Sequence, residues 1–215
     1  MCLLILLIIC TFLTAGCTSR GLRDYYYAYG DSISSASGDD YDSTYIMQMR
    51  DTYNATATAA HNTDGSGMTS MWGLNNIATH SDAENEFIMF GVNDRGGYHL
   101  TGLQTAENLA SMYNYLQANG TKPYILINTL VANDTYTGSK TSVQQRDNIT
   151  IIQNYLSERG IPFVKMYDAI DSIPGNGVPD EIDPVLLCSD GIHPTYDAHT
   201  IMATYLWNYL NVPSR

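Results

Sequence analysis

The sequence predicts an α/β fold built on a parallel sheet, and three observations carry that expectation. Beyond Arg20, short apolar runs alternate with stretches of helical periodicity, the order produced when each strand is followed by a crossover helix. Two of the helical stretches stop at a glycine, Gly120 and Gly160, the residue that closes a helix in left-handed backbone. Polar clusters fall at the carboxyl ends of apolar runs, or in the last loop before the final helix. That edge of an open parallel sheet is where ligands bind.

In chain order, Asp24–Tyr29 reads as the first strand. Asp42 and Ser43 can cap a helix carrying Tyr45, Ile46 and Met49 on one side. A weaker strand, Thr56–Ala60, leads into the glycine-rich loop His61–Gly67, and Thr69–Thr79 is helical. Glu86–Phe90 is a strand. Leu103, Ala106, Ala110, Tyr113 and Leu116 recur at three- and four-residue steps, which makes Thr101–Asn119 a helix. Pro123–Leu130 is the clearest buried strand. Val143, Ile149, Ile152 and Leu156 mark a second long helix, Ile161–Tyr167 a last strand, and Thr195–Leu210 a closing helix. About five parallel strands in a three-layer α/β/α arrangement follow.

A chain of 215 residues suits a single domain of this kind. With 44% hydrophobic residues, 15% charged and 17 tyrosines against 4 phenylalanines, it is a folded protein and not a disordered one. Ten basic residues face 22 acidic ones, which excludes nucleic acid as a partner, because phosphates need clustered Lys and Arg. The first 19 residues carry no charged side chain, and Leu3 to Leu13 is almost wholly apolar. That run is short for a membrane span and fits the core of an export signal. It ends in Leu13-Thr14-Ala15-Gly16-Cys17, which resembles a prokaryotic lipoprotein signal with Cys17 as the lipidated residue. Thr14 stands where an aliphatic residue is usual, and no Lys or Arg precedes the apolar run.

Residues 1–17 are therefore expected to be an export signal, and 18–215 the folded domain. The protein is expected to be exported, then anchored to the outer side of the cell membrane or secreted. Membrane contact comes only through an N-terminal lipid or signal anchor. Cys2 and Cys10 leave with the signal, so no disulfide framework remains, and Cys188 reads as a small core residue.

Three polar clusters carry chemistry: Gly30-Asp31-Ser32, Gly91-Val92-Asn93-Asp94 and Asp190-Gly191-Ile192-His193-Pro194. Each alone has an ordinary structural reading. Asp31-Ser32 can cap a helix, Asn93-Asp94 can make a turn, and His193-Pro194 can join a loop to a helix. Together they supply a serine nucleophile, a histidine with a carboxylate three residues before it, and an amide donor, the parts of an acyl-transfer site.

In this order the clusters resemble the blocks of the SGNH hydrolases, also called the GDSL esterase/lipase family. Tyr29-Gly30-Asp31-Ser32-Ile33 matches the first block, Gly91-Val92-Asn93-Asp94 the third and Asp190–Pro194 the last. The second block falls in His61–Thr69, where Gly67 is preferred because a Gly-x-Thr ending is usual, with Gly65 as the alternative. The resemblance runs from Asp24 to the C-terminus and implies the flavodoxin-like SGNH hydrolase fold.

It also implies roles. Ser32 attacks the ester, His193 takes its proton and returns it to the leaving alcohol, and Asp190 fixes the imidazole. The Ser32 and Gly67 backbone N–H groups and the Asn93 amide form the oxyanion hole. No cofactor or metal is needed. The expected activity is that of a serine esterase forming an acyl-Ser32 intermediate, with short acyl esters such as acetyl groups on carbohydrate as the first substrate class. The substrate is then a small molecule or a polysaccharide. Alternatives are a lysophospholipase or thioesterase of the same family, or a non-catalytic exported glycan-binding module whose tyrosines stack on sugars.

His61, His80, His99 and His199 show no metal-ligand spacing and read as surface or satisfied residues. Gly175–Asp183 resembles the second half of an acidic calcium loop. It lacks the first-half carboxylates, so it reads as a solvated acidic loop. Asn54, Asn133 and Asn148 begin Asn-x-Thr triplets compatible with glycosylation.

Overall fold

The computed structural model describes residues 25–35, 44–53, 55–59, 67–79, 83–94, 99–128, 142–171, 184–188 and 190–211. Residues 1–17, expected to be an export signal, and Gly65, His61, His80, the Gly175–Asp183 loop, Asn54 and Asn133 lie outside them.

Five strands form one parallel sheet: β1 Tyr25–Gly30, β2 Thr56–Ala59, β3 Asn85–Met89, β4 Lys122–Ile127 and β5 Phe163–Lys165. Their order is β2-β1-β3-β4-β5. The helices are α1 Ser32–Ser35, α2 Tyr45–Tyr53, α3 Ser70–Asn76, α4 Gly102–Ala118, α5 Ser142–Glu158, α6 Tyr167–Ile170 and α7 Tyr196–Asn211. The strand order dictates their layers. The step from β1 to β2 runs one way across the sheet and every later step runs the other way. Right-handed crossovers then put α2 on one face and α3, α4 and α5 on the opposite face. The packing agrees, with α4 against α3, α5, β3 and β4, and α2 against β2 and α7. This is the three-layer flavodoxin-like architecture expected from the sequence.

The strand order reverses between β1 and β3, the point at which open α/β sheets bind ligands. Those two strands pair in register from Tyr26 opposite Asn85 to Gly30 opposite Met89. Whatever follows Gly30 and Met89 therefore emerges side by side at the carboxyl edge. Beneath that edge the core is aromatic. Tyr26 stacks on Phe87 at 5.3 Å between ring centroids, and Tyr29 meets Phe90 edge-on at 5.0 Å. β3 is buried along its whole length, as a central strand covered on both faces must be.

Several sequence-based boundaries shift. The run Ile161–Tyr167 yields a strand of only three residues. Met166 N–H donates to the Ile127 carbonyl at 3.0 Å, and the chain then turns into α6. Tyr167 and Ile170 are apolar because α6 buries them, and a short apolar run does not distinguish the two cases. β4 ends at Ile127, before the expected Leu130. Thr195 lies outside α7, where its hydroxyl accepts from the Ala198 N–H at 3.3 Å.

Cys188 is not a core residue. It is exposed, in a short extended segment that pairs backbone to backbone with the histidine loop. Asn148 is no loop acceptor for a glycan either, since it lies within α5 with its Cα packed against Gly102 of α4.

Candidate active site

The serine turn follows from a tight strand exit. A Cβ on Gly30 would sit 2.5 Å from the Met89 carbonyl oxygen, so only glycine lets β1 lie this close to β3. Asp31 N–H then donates to that carbonyl at 3.1 Å, one rung past the paired strands. The Asp31 side chain caps α1 by accepting from the Ile33 N–H at 3.1 Å, and its carbonyl accepts from Ser34 and Ser35. None of these bonds uses the Ser32 N–H, which stays at the first position of the helix.

The histidine arrives on a closed loop. Leu187 bridges Pro194, Cys188 N–H donates to the His193 carbonyl at 2.8 Å, and Thr195 N–H donates to the Leu186 carbonyl at 2.9 Å. Inside this loop the Asp190 Oδ1 accepts the Ile192 and His193 backbone N–H groups at 2.8 and 3.0 Å. Its Oδ2 lies 2.6 Å from His193 Nδ1, and His193 Nε2 lies 2.8 Å from Ser32 Oγ. A carboxylate on Nδ1 fixes the proton there, so Nε2 is the acceptor that faces the serine hydroxyl. Partial burial pushes the Asp190 carboxyl up. The His193 ring and the two backbone donors outweigh it, so Asp190 sits below the usual carboxylate range.

The amide side is built around Asp94, which is buried. Its Oδ1 accepts the Ser70 N–H at 2.7 Å, and its Oδ2 accepts the Ser70 and Thr105 hydroxyls at 2.5 and 2.6 Å. One carboxylate thus joins the β3–α4 turn to the starts of α3 and α4. Asn93 Nδ2, next along that turn, donates to the Met68 carbonyl at 3.0 Å. Gly67 precedes Met68 with φ of +84°, a backbone only glycine adopts freely. Among the described residues nothing crowds the position of its missing Cβ, so its conformation is what calls for glycine.

Among the residues expected from the sequence, Ser32, His193 and Asp190 are joined in one hydrogen-bonded row. Asn93 is tied to the segment that carries Gly67. Asp31 lies beside both halves, since the Val92 backbone amide helps to lower the pKa of its carboxyl. The sequence reading missed Asn128, Asp94 as a brace, Ser70 and Thr105. Asn128 had a signal: a polar residue ending the apolar run Ile125-Leu126-Ile127.

Beside the Asn93 turn lies an open cleft, whose walls include Val92, Leu109, Ile127, Asn128, Gln145 and Asn148. Buried behind the histidine loop is His199. Burial holds its imidazole neutral, with pKa lowered to about 4, and its Nδ1 accepts the Tyr45 N–H at 3.1 Å.

The fold recurs in known enzymes. The structure resembles TesA with a TM-score of 0.66 at 21% identity, over 87% of this chain and 98% of that one. It resembles the psychrotrophic esterase EstA from Pseudoalteromonas sp. with a TM-score of 0.66 at 16% identity, over 88% and 100% of the two chains. A carbohydrate acetylesterase family member from Sinorhizobium meliloti gives 0.62 at 12% identity, over 87% and 97%. No curated protein sequence matches the chain. The family model for GDSL-like lipases and acylhydrolases matches residues 28–201, from within β1 into α7, and the chain belongs to that family of ester-hydrolysing enzymes.

Proposed function

We propose that the protein is a serine esterase that works through an acyl-Ser32 intermediate on short acyl esters, acetyl groups on carbohydrate first among them. The observation that carries the mechanism is the Ser32–His193–Asp190 row at 2.8 and 2.6 Å. His193 takes the Ser32 proton as Oγ attacks the ester carbonyl, and Asp190 stabilises the imidazolium that forms. The negative charge gathering on the carbonyl oxygen is met by the Ser32 and Gly67 N–H groups and an Asn93 N–H. The imidazolium then protonates the leaving alcohol, and a water deprotonated by the same histidine releases the acyl group.

Short acyl esters are the substrate class that the motif resemblance in the sequence implies. The resemblance to a carbohydrate acetylesterase family member points the same way. The uncharged apolar N-terminus and the Leu13–Cys17 motif support action outside the cell membrane.

A fluorophosphonate probe tests the mechanism. The expected adduct is on Ser32 and disappears in His193→Ala, while no adduct on the folded protein would sink it. Hydrolysis of p-nitrophenyl acetate well above the octanoate supports the short-acyl reading, and the reverse order overturns it in favour of a lipid or long-chain substrate.

A further inference from the structure

We propose that Asn128 is a positioning residue: its amide holds the Asp31 carboxylate in place, and through it keeps the Ser32 turn and the Val92–Asn93 turn aligned. The inference rests on the serine-esterase reading above. Asn128 stands directly after β4, where its Nδ2 donates to Asp31 Oδ2 at 3.2 Å across 97 residues of sequence, and both side chains are buried. The Asp31 carboxylate accepts from Ile33 in the serine helix and from Asn128, and the Val92 backbone amide beside Asn93 helps to lower its pKa.

The Ile33 N–H donates to Asp31 Oδ1 and the Asn128 amide to Oδ2, an arrangement that favours the ionised carboxylate. Protonation puts a hydrogen on one of these oxygens and makes it a poorer acceptor. Either the cap on the serine turn or the Asn128 bond is then weakened. Asp31 is close to this change. Burial pushes its pKa up to about 7, and the neighbouring Asp94 charge pushes the same way, against the Ile33, Asn128 and Val92 amides. The titratable groups facing it are Asp94 from the β3–α4 turn and Tyr45 from α2, with His193 bonded to the adjacent Ser32. Tyr45 is held neutral by burial. The Asn128 donor is thus one of the few forces keeping Asp31 ionised at neutral pH.

The test is the pH dependence of kcat/KM on p-nitrophenyl acetate. Asn128→Leu, similar in size with no donor, is expected to lower kcat about tenfold while KM stays within about twofold, because alignment and not binding is lost. Its acid limb moves up by about one pH unit as Asp31 protonates more readily. Asn128→Ser, which keeps a hydroxyl donor, moves the limb part of the way back. In an Asp31→Asn background, Asn128→Leu shifts the limb no further.

An unmoved limb in Asn128→Leu, or a change in KM alone, overturns the proposal and leaves Asn128 as a wall of the cleft. Should Asn128→Leu fail to fold, Asp31→Asn decides alone. Its acid limb must reduce to a single proton, and a limb identical to wild type rejects the idea. Failure of the esterase reading looks different, because wild-type Ser32 then takes no phosphonate at all.

Discussion

Asn93 has two amide N–H groups, and the structure spends one on the Met68 carbonyl. The bond orients the side chain, and in the proposed mechanism the second N–H meets the developing oxyanion. Asn93→Ala is therefore expected to lower kcat by about 10²–10³-fold with KM nearly unchanged, the usual effect of deleting one such donor. Steady-state kinetics on p-nitrophenyl acetate check it, and a loss confined to KM would refute the role.

At this scale the sequence is informative where the candidate site lies in contiguous letters. Ser32, Asn93, Asp190 and His193 each lie in a short motif at a strand end, and Asp190 reaches His193 from three residues away. The braces were not legible for the opposite reason. Asp94 meets Ser70 and Thr105, and Asn128 meets Asp31, through contacts that only the strand order creates. Gly67 was legible as a glycine through its motif, and the structure adds a conformational reason, a left-handed backbone at φ +84°.

The elements show where periodicity suffices and where it does not. α4 and its capping box at Thr101, with Gln104 reaching back to the Thr101 N–H, follow the pattern because a long amphipathic face repeats its signal. β5 does not, since three strand residues and one turn of buried helix share the same apolar letters.

α3 has a sharper requirement, at Gly73. A Cβ there would fall 2.7 and 2.8 Å from two atoms of the Phe90 ring. That ring cannot retreat, being held edge-on by Tyr29, whose hydroxyl in turn donates to the Gly73 carbonyl at 2.7 Å. Two effects compete in Gly73→Ala. Helix propensity offers about 1 kcal/mol of gain, while overpacking a closed core costs about 1–3 kcal/mol. Because Phe90 is fixed on its far side, overpacking wins, and a net loss of about 1–2 kcal/mol in urea unfolding is expected. A midpoint at or above wild type would show that α3 can shift outward, and with it Ser70 and the Asp94 brace.

Over the whole molecule, two buried groups set opposing responses to acid. His199 titrates near 6.5 when unfolded and near 4 when folded. Below pH 6.5 the unfolded chain binds its proton first, so this contribution is present above 6.5 and falls by about 3 kcal/mol on the way to pH 4. Asp31 works the other way. It ionises near 3.8 when unfolded and near 7 when buried, so the folded state holds the extra proton between those values. Its contribution is greatest at low pH and is lost as pH rises through 7. Meanwhile the net charge of −12 at pH 7 shrinks on acidification and relieves self-repulsion across the surface. Differences between variants and wild type cancel that shared background.

His199→Asn places an acceptor where Nδ1 receives the Tyr45 N–H but cannot titrate, so its stability relative to wild type should improve from pH 7.5 to pH 4.5. Asp31→Asn should move in the opposite direction over the same interval. Urea unfolding at the two pH values measures both, and pH-independent differences for either variant would mean that its side chain is not titrating in the buried site described here.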